Sequence, residues 1–300
     1  MRPPLFEAVP NFSEGRDPAK ISRIADWVRA VRGVRVLGLH SDPDHNRSVL
    51  TFAGEEDAVL EAAVALALAC TNEIDLASQT GEHPRMGSLD VLPFVPLEGA
   101  TLEEAVQLAR RVGERIGDLG LPVYLYEAAA TAPHRRNLAD IRHGGYEGVA
   151  ARIRYPLWQP DYGPPELDPR KGAVAVGARS FLAAFNAYLD TDDVSIAKAV
   201  ARKVRERDGG LPGVKALGLE VGDRAQVSMN LTDLERTPIP VALEAVRSAA
   251  AQHGVSVEST ELVGLAPLEA ILQVARHYLR LRELEKEHVV EAALWQEPGV

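Results

Sequence analysis

A histidine in a loop bounded by glycine and proline is the residue best suited to chemistry in this chain. His83 lies within the segment Thr80-Gly81-Glu82-His83-Pro84-Arg85-Met86-Gly87. Glycine and proline interrupt both helical and strand periodicity, so we expect a shaped loop here. An imidazole has an unperturbed pKa of about 6.5 and can therefore accept and donate a proton near neutral pH. Taken alone, a histidine in such a turn is more often a solvated surface residue.

The overall composition argues against several classes of partner. The chain has 300 residues, of which 46% are hydrophobic and 25% charged, which favours a sizeable core and two domains. A net charge of -10 argues against nucleic-acid binding, because phosphate contacts need a basic face. The single cysteine, Cys70, allows neither an internal disulfide nor a cysteine metal cluster. Without a signal-peptide core or an apolar run long enough to span a bilayer, the protein is expected to be cytoplasmic, with no membrane partner.

The periodicity of the first half predicts the element order βαββαβ. The predicted strands cover residues 5–9, 34–39, 48–52 and 91–95, and the predicted helices cover 18–31 and 55–72. A helix over 101–119, begun by a Thr101-x-x-Glu104 capping box, and a strand over 123–126 follow. Polar residues cluster in the loops 11–17, 41–47 and 78–88, which we expect at one edge of the sheet.

The second half repeats the same order after an irregular segment. Residues 132–172 predict short helices near Asn137 and Tyr146 and a loop over 159–171. Beyond them we predict strands 181–189, 214–221, 225–231 and 255–262 with helices 193–207, 240–252 and 267–287. The sequence therefore predicts an α/β protein of the α+β type. We expect two ferredoxin-like (split βαβ) subdomains, 1–179 and 180–300, each with helices on one face of its sheet, and a ligand cleft between them.

Ordered motifs along nearly the whole chain resemble those of the glutamate formiminotransferase family. They include Val9-Pro10-Asn11-Phe12-Ser13-Glu14-Gly15, the segment 42–54, the loop 81–87, and the later segments 160–164, 226–233 and 261–265. The resemblance is to the formiminotransferase domain of formiminotransferase-cyclodeaminase, here in a stand-alone form. Several motifs in the right order are far more specific than any one of them.

The resemblance implies transfer of a formimino group from N-formimino-L-glutamate to N5 of tetrahydrofolate. The products are 5-formiminotetrahydrofolate and L-glutamate, in histidine degradation and one-carbon metabolism. N5 must lose a proton as it attacks the amidine carbon, and the leaving glutamate nitrogen must gain one. In the family the catalytic histidine is the one in this loop, which carries onto His83 as general acid and base.

The resemblance and the side-chain chemistry together give a set of substrate-binding candidates. A carboxylate near the protonated amidine could stabilise the adduct, and Arg85 could hold a substrate carboxylate with two parallel hydrogen bonds or form only a weak surface ion pair. Asn186 and Asn230 are predicted at strand positions. There they either contact a ligand or form hydrogen bonds with backbone groups at the end of the sheet. The full set is Asn11, Asn46, Arg47, Glu82, Arg85, Met86, Gly87, Asn186 and Asn230.

A folate-binding loop is implied for residues 163–173. Its residues are Gly163, Pro164, Pro165, Glu166, Leu167, Asp168, Pro169, Arg170, Lys171, Gly172 and Ala173. The prolines limit backbone freedom and the glycines permit close approach to a flat ring. The interior, 165–168, departs from the animal enzymes, and an interdomain linker is the alternative interpretation.

The segment Asp42-Pro43-Asp44-His45-Asn46-Arg47 is the sequence's other dense polar cluster. Its spacing matches neither an EF-hand nor a zinc motif, and the implied transfer needs no metal, so we predict none. Asn46 and Arg47 are interpreted as orienting substrate or bracing the loop, and no catalytic role is assigned to His40.

Two other functions remain open at this point. One is formyl transfer between 5-formyltetrahydrofolate and glutamate on the same site. The other is a folate-binding module without turnover. We expect small-molecule substrates, a homodimer, and a separate cyclodeaminase acting downstream.

Overall fold

The computed structural model describes residues 3–79 and 85–294, with side chains described to residue 292. The chain forms two compact units, Met1–Ser180 and Phe181–Val300. Each unit has its own sheet and its own hydrophobic core. No helix within the described ranges is both long and apolar enough to cross a bilayer.

The first unit begins with a split βαβ fold. Its elements are β1 (Leu5–Ala8), β2 (Asn11–Phe12), α1 (Pro18–Arg29), β3 (Val34–Asp42), β4 (Arg47–Glu55), α2 (Glu56–Glu73) and β5 (Leu89–Pro96). β1 and β2 both lie between β4 and β5, and β3 pairs with the far edge of β4. All these pairings are antiparallel, which gives the strand order of the ferredoxin-like fold.

Three further helices and a parallel strand pair extend this sheet. They are α3 (Leu102–Asp118), β6 (Val123–Glu127), α4 (Leu138–Ile141), α5 (Gly145–Arg152) and β7 (Val174–Ala178). β7 lies parallel between β5 and β6. The predicted capping box starts α3, because the Thr101 hydroxyl accepts from the Glu104 amide and the Glu104 carboxylate accepts from the Thr101 amide.

The extended end of the sheet is covered on both faces. The helix α3 packs on one face of this end, against β5, β6 and β7, and α1 and α2 contribute to the same hydrophobic core. On the other face, Ile141 of α4 and Val149 of α5 pack against Val91, Tyr124 and Ala175. The expectation of helices on one face only was therefore wrong for this unit, since parallel strands that are apolar on both sides need cover on both sides.

The second unit is a plain split βαβ fold. It contains β8 (Ala183–Leu189), α6 (Val194–Val204), β9 (Val214–Val221), β10 (Arg224–Leu231), α7 (Ile239–Ala251), β11 (Val257–Val263), α8 (Leu268–Leu279) and α9 (Val290–Leu294). The strand order is β11-β8-β10-β9, with every pairing antiparallel. The predicted α+β class and repeated element order are confirmed.

Two local predictions were wrong, and one strand was not predicted. Asn11–Phe12 is a short strand rather than loop, and Val174–Ala178 is a strand that the sequence analysis did not predict. The last predicted helix, 267–287, ends at Leu279 because Arg280 adopts a left-handed conformation with φ 54°. The charge-rich residues that follow offer few apolar side chains to bury against the core.

Candidate active site

The central residues of the predicted catalytic loop lie outside the described residues. These are Thr80, Gly81, Glu82, His83 and Pro84. The roles predicted for Glu82 and His83 therefore stay predictions. The structure does describe both ends of this loop, Gln79 on one side and residues 85–88 on the other, and what holds them.

The two ends of the His83 loop (residues 80–87) are joined directly by Arg85. Its guanidinium Nη2 donates a hydrogen bond to the backbone carbonyl oxygen of Gln79. The side chain of Gln79 is held as well, because its amide donates to Glu14 Oε2 at 3.2 Å and its carbonyl oxygen accepts from Asn46 Nδ2. Arg85, predicted to bind substrate, thus closes the base of the loop through at least one of its donors.

The second end of the loop is paired with the end of the predicted folate-binding segment. The Met86 carbonyl accepts from the Ala173 amide at 2.9 Å, and the Ser88 amide donates to the Lys171 carbonyl at 2.8 Å. A bridge pairs Gly87 with Gly172. The two predicted sites, which are separated by some eighty residues in sequence, are therefore in direct contact.

Glycine is required on both sides of this contact. A Cβ on Gly87 would lie 2.0 Å from the Ala173 carbonyl oxygen. A Cβ on Gly172, which has φ 72°, would lie 2.2 Å from the Met86 carbonyl oxygen. Both clashes are with backbone atoms, so no side-chain rotation relieves them.

Three residues after β2, Ser13, Glu14 and Gly15, hold the loop ends, and we call them the anchor motif. The Ser13 hydroxyl donates to the Gly87 carbonyl at 2.8 Å, and the Ser13 amide donates to the Ser88 carbonyl at 2.9 Å. Glu14 accepts from Gln79 at the opposite end. The anchor motif therefore contacts both ends of the His83 loop.

Glu14 is a buried carboxylate with four donors. Its Oε1 accepts from the amides of Arg16 and Asp17 at 3.0 and 3.1 Å, and its Oε2 accepts from Lys20 Nζ at 2.9 Å and from Gln79. Burial opposes ionisation, but the hydrogen bonds from Lys20 and the two amides outweigh it and lower the pKa of Glu14. Glu14 is thus ionised at neutral pH and holds the loop as an acceptor.

Asn46 connects the anchor motif to the turn between β3 and β4. It is buried, has φ 48°, and its Oδ1 accepts from the Gly15 amide at 2.9 Å. Its Nδ2 donates to Gln79. Asparagine tolerates this left-handed conformation better than most residues. These contacts support the loop-bracing half of the interpretation made for Asn46.

A buried carboxylate, Asp90 of β5, supports the same loop from below. Its Oδ1 accepts from the Met86 amide at 2.8 Å, and its Oδ2 accepts from Arg142 Nη1 at 2.9 Å. Burial raises the pKa of Asp90, while Arg142 and the Met86 amide act in the opposite direction. Arg47, at the start of β4, lies near this pair. Burial and the Arg142 charge lower the pKa of Arg47, and the charges of Asp42 and Asp90 offset this only in part.

The predicted folate-binding segment forms an ordered loop. Gly163 has φ 79°, and a Cβ there would lie 2.1 Å from the Leu121 carbonyl oxygen. Asp168 organises the other end, where its side chain accepts from the Arg170 amide and its carbonyl from the Gly172 amide. Arg170 forms an exposed ion pair with Asp75 at 3.5 Å, and Lys171 forms one with Asp168 at 3.9 Å. Exposed ion pairs of this kind contribute little to the free energy of unfolding.

Three predicted substrate residues form none of the hydrogen bonds described above. Asn11 sits in β2, and its side-chain amide donates to the Val9 carbonyl at 3.3 Å. Asn186 and Asn230 belong to the second unit. Asn186 donates to Glu261 at 3.2 Å, and Asn230 is exposed on β10. Their predicted ligand contacts remain untested.

The polar cluster 42–47 forms a turn with its own internal contacts. Asp42 accepts from His45 Nδ1 and from the amides of Asp44 and His45. The hydrogen bonds from His45 lower the pKa of Asp42 to about 2. Among the described residues, no group of three or more His, Cys, Asp or Glu side chains has the geometry to hold a metal ion.

Sequence reasoning missed several residues that define this site. They are Ser13, Glu14, Gly15, Gln79, Asp90 and Arg142. The first three belonged to a motif that was quoted for its resemblance, and that motif was their one available signal. Asp90 follows the His83 loop in the segment that carries the resemblance, whereas nothing in the local sequence distinguishes Gln79 or Arg142 from ordinary polar residues.

Comparisons with known proteins identify the family of the chain. Residues 5–179 match the formiminotransferase domain, N-terminal subdomain, and residues 184–296 match the formiminotransferase domain. The chain therefore belongs to the formiminotransferase family, and the resemblance inferred from the motifs is confirmed.

Curated relatives of the chain carry related names. A glutamate formimidoyltransferase of Thermoplasma acidophilum is 44% identical over 292 residues and covers 96% of both chains. One from Streptococcus pyogenes serotype M1 is 41% identical and covers 94% of this chain and 95% of its own. The formimidoyltransferase-cyclodeaminase of Mus musculus is 40% identical. The matched region covers 95% of this chain but 54% of that longer protein. A solved microcompartment protein from Desulfitobacterium hafniense covers 90% of the chain at 11% identity with a TM-score of 0.25, too low to inform the fold.

Proposed function

We propose that this protein is a glutamate formimidoyltransferase, which moves the formimino group of N-formimino-L-glutamate to N5 of tetrahydrofolate. The observation that carries the proposal is the direct contact between the ends of the His83 loop and residues 171–173 of the segment proposed to bind folate. An acid–base residue must lie close to the acceptor nitrogen, and this contact brings the two segments together. The names and coverage of the relatives support the same reaction.

In the proposed mechanism, His83 moves one proton between two nitrogens. It removes the N5 proton as N5 attacks the amidine carbon and the N5–C bond forms. It then returns that proton to the glutamate nitrogen as the C–N bond to glutamate breaks. The formimino carbon and its nitrogen are transferred intact, so the reaction is balanced without any further reactant. Tetrahydrofolate acts as acceptor substrate, and the transfer requires no metal.

The remaining roles are proposed from the family resemblance and from side-chain chemistry. Residues 163–173 bind tetrahydrofolate, and Glu82 stabilises the protonated amidine. Arg47 and the asparagines named above bind the glutamate part of the donor. A cytoplasmic homodimer with a separate cyclodeaminase downstream remains our expectation for the cell.

A donor comparison with purified protein tests the proposed reaction. Tetrahydrofolate is incubated with N-formimino-L-glutamate or with N-formyl-L-glutamate, and both products are quantified by mass spectrometry. We expect equimolar 5-formiminotetrahydrofolate and free glutamate from the formimino donor only. Turnover of the formyl donor alone would move the assignment to formyl transfer. Folate binding without turnover of either donor would support the alternative of a folate-binding module that is not an enzyme.

A further inference from the structure

Arg142 is a partly buried guanidinium, and most of its donors have no acceptor among residues 3–79 and 85–292. Its side chain is 20% exposed, and Nη1 donates to Asp90 Oδ2 at 2.9 Å. Among the described residues Asp90 is its one hydrogen-bond acceptor, and Nε is buried without any partner. A guanidinium carries five N–H donors in a planar fork. Partly buried donors are normally satisfied, so this fork has room for another acceptor.

The position of Arg142 relates it to the loop that carries His83. The Asp90 carboxylate that orients Arg142 also accepts from the Met86 amide at 2.8 Å. One buried carboxylate, 3% exposed, therefore holds both the guanidinium and the end of the His83 loop. A ligand bound by Arg142 would lie next to the backbone that leads into the catalytic segment.

Two arginine side chains lie close together beside the Asp90 carboxylate. Arg47 and Arg142 both act on Asp90, and Arg142 lies near enough to Arg47 to act on it too. A second carboxylate, Asp42, also acts on Arg47, and it is held by His45 and by two backbone amides. A planar, doubly donating guanidinium matches the two oxygens of a carboxylate or a phosphate, and the proposed donor carries carboxylates.

We propose that Arg142 binds a carboxylate of the amino-acid donor, and that Asp90 is the positioning residue that orients Arg142 relative to the His83 loop. The proposal rests on the proposed function, because glutamate is the part of that donor that carries carboxylates. The donor has an α- and a γ-carboxylate with the same chemistry toward arginine. The folate tail carries carboxylates as well, so the test separates all three sources.

The test compares Arg142→Gln and Arg142→Lys with the matched control Arg154→Gln. Arg154 is exposed and lies just beyond α5 in the same segment of the chain. Each protein is assayed with N-formiminoglutamate and with its α-amide and γ-amide, while tetrahydrofolate is varied separately. In Arg142→Gln we expect the KM for N-formiminoglutamate to rise about 10- to 100-fold, with kcat and the KM for tetrahydrofolate nearly unchanged. Arg142→Lys should recover part of the loss, because it keeps the charge but not the fork.

The amide donors identify the carboxylate. The wild type should discriminate against one of the two amides by a similar factor, and Arg142→Gln should lose that discrimination. An unchanged KM for the donor would overturn the proposal, and so would an equal rise for the acid and both amides. A rise confined to tetrahydrofolate would assign Arg142 to the folate tail instead.

Calorimetric titration with L-glutamate separates failure of this inference from failure of the proposed function. If the wild type transfers no formimino group, the proposed function is wrong. Glutamate binding that is lost in Arg142→Gln and kept in Arg154→Gln would still support the carboxylate site. If the wild type transfers normally and Arg142→Gln keeps its donor KM, the inference alone is wrong. Should Arg142→Gln fail to fold by circular dichroism, Arg142→Lys carries the same comparison.

Discussion

Replacing Gly87 with alanine should separate the His83 loop from the segment proposed to bind folate. The added Cβ would lie 2.0 Å from the Ala173 carbonyl oxygen and 2.8 Å from the Leu89 carbonyl oxygen. Restoring ordinary contact requires a backbone shift of roughly 1.4 Å in a close-packed region. That shift weakens the hydrogen bonds of Met86 and Ser88 to the opposite segment, each contributing about 1 kcal/mol. With the overpacking, we expect a loss of about 2–4 kcal/mol in the free energy of unfolding.

Activity should fall further than stability alone explains. A displacement of about 1 Å in a catalytic group can reduce the rate roughly 100-fold, and we expect kcat/KM to fall by that order in Gly87→Ala. The matched control is Gly38→Ala in β3, where the added Cβ has no atom within 4 Å. It should stay within about 0.5 kcal/mol of the wild type and keep full activity. Urea denaturation and steady-state kinetics measure both quantities. Wild-type stability and kcat/KM in Gly87→Ala would refute the close contact between these segments.

Substitutions at three further residues test the contacts of the anchor motif and of Asn46. Ser13→Ala removes the hydroxyl that donates to the Gly87 carbonyl and should cost about 1 kcal/mol of unfolding free energy with a lower kcat/KM, whereas unchanged values would mean the bond is unimportant. The folded protein lowers the pKa of Glu14 below 4.5, so its stabilisation is complete above about pH 4.5 and is lost as the pH falls through the folded-state pKa. Denaturation of Glu14→Gln should therefore show a deficit at pH 7 that shrinks on acidification, and a pH-independent deficit would contradict this. Asn46→Ala should cost about 2–4 kcal/mol, because it loses two bonds and strains a left-handed residue, and Asn46→Gly should recover the strain component but not the bonds.

The repeated element order was predictable because each split βαβ unit shows strong local periodicity. The helices α1, α3 and α6 begin where a capping residue and an apolar stripe coincide in sequence. The strand Val174–Ala178 gave no such signal. It is buried on both faces, so it lacks alternation, and it is short and rich in alanine. Its place in the sheet depends on parallel partners that are distant in sequence.

The sequence pointed to some candidate residues for the site but not to their contacts. Asn46 was interpreted as orienting substrate or bracing a loop, and its described hydrogen bonds are those of a brace. Arg85 was interpreted as gripping a substrate, yet one of its donors binds the Gln79 backbone. The Ser13 hydroxyl bonds a carbonyl 74 residues away. Such pairings depend on how the sheet brings distant strand ends together, and periodicity within a short window carries no information about them.

The most direct test of the central claim is the rate of formimino transfer in His83→Ala, measured together with its affinity for tetrahydrofolate. Removal of a general acid–base group typically reduces the rate about 10²- to 10⁴-fold. The account predicts a loss of that order in kcat, with the dissociation constant for tetrahydrofolate and the thermal midpoint unchanged from the wild type. A variant that transfers the formimino group at the wild-type rate would contradict the assignment of His83 and, with it, the proposed role of the loop.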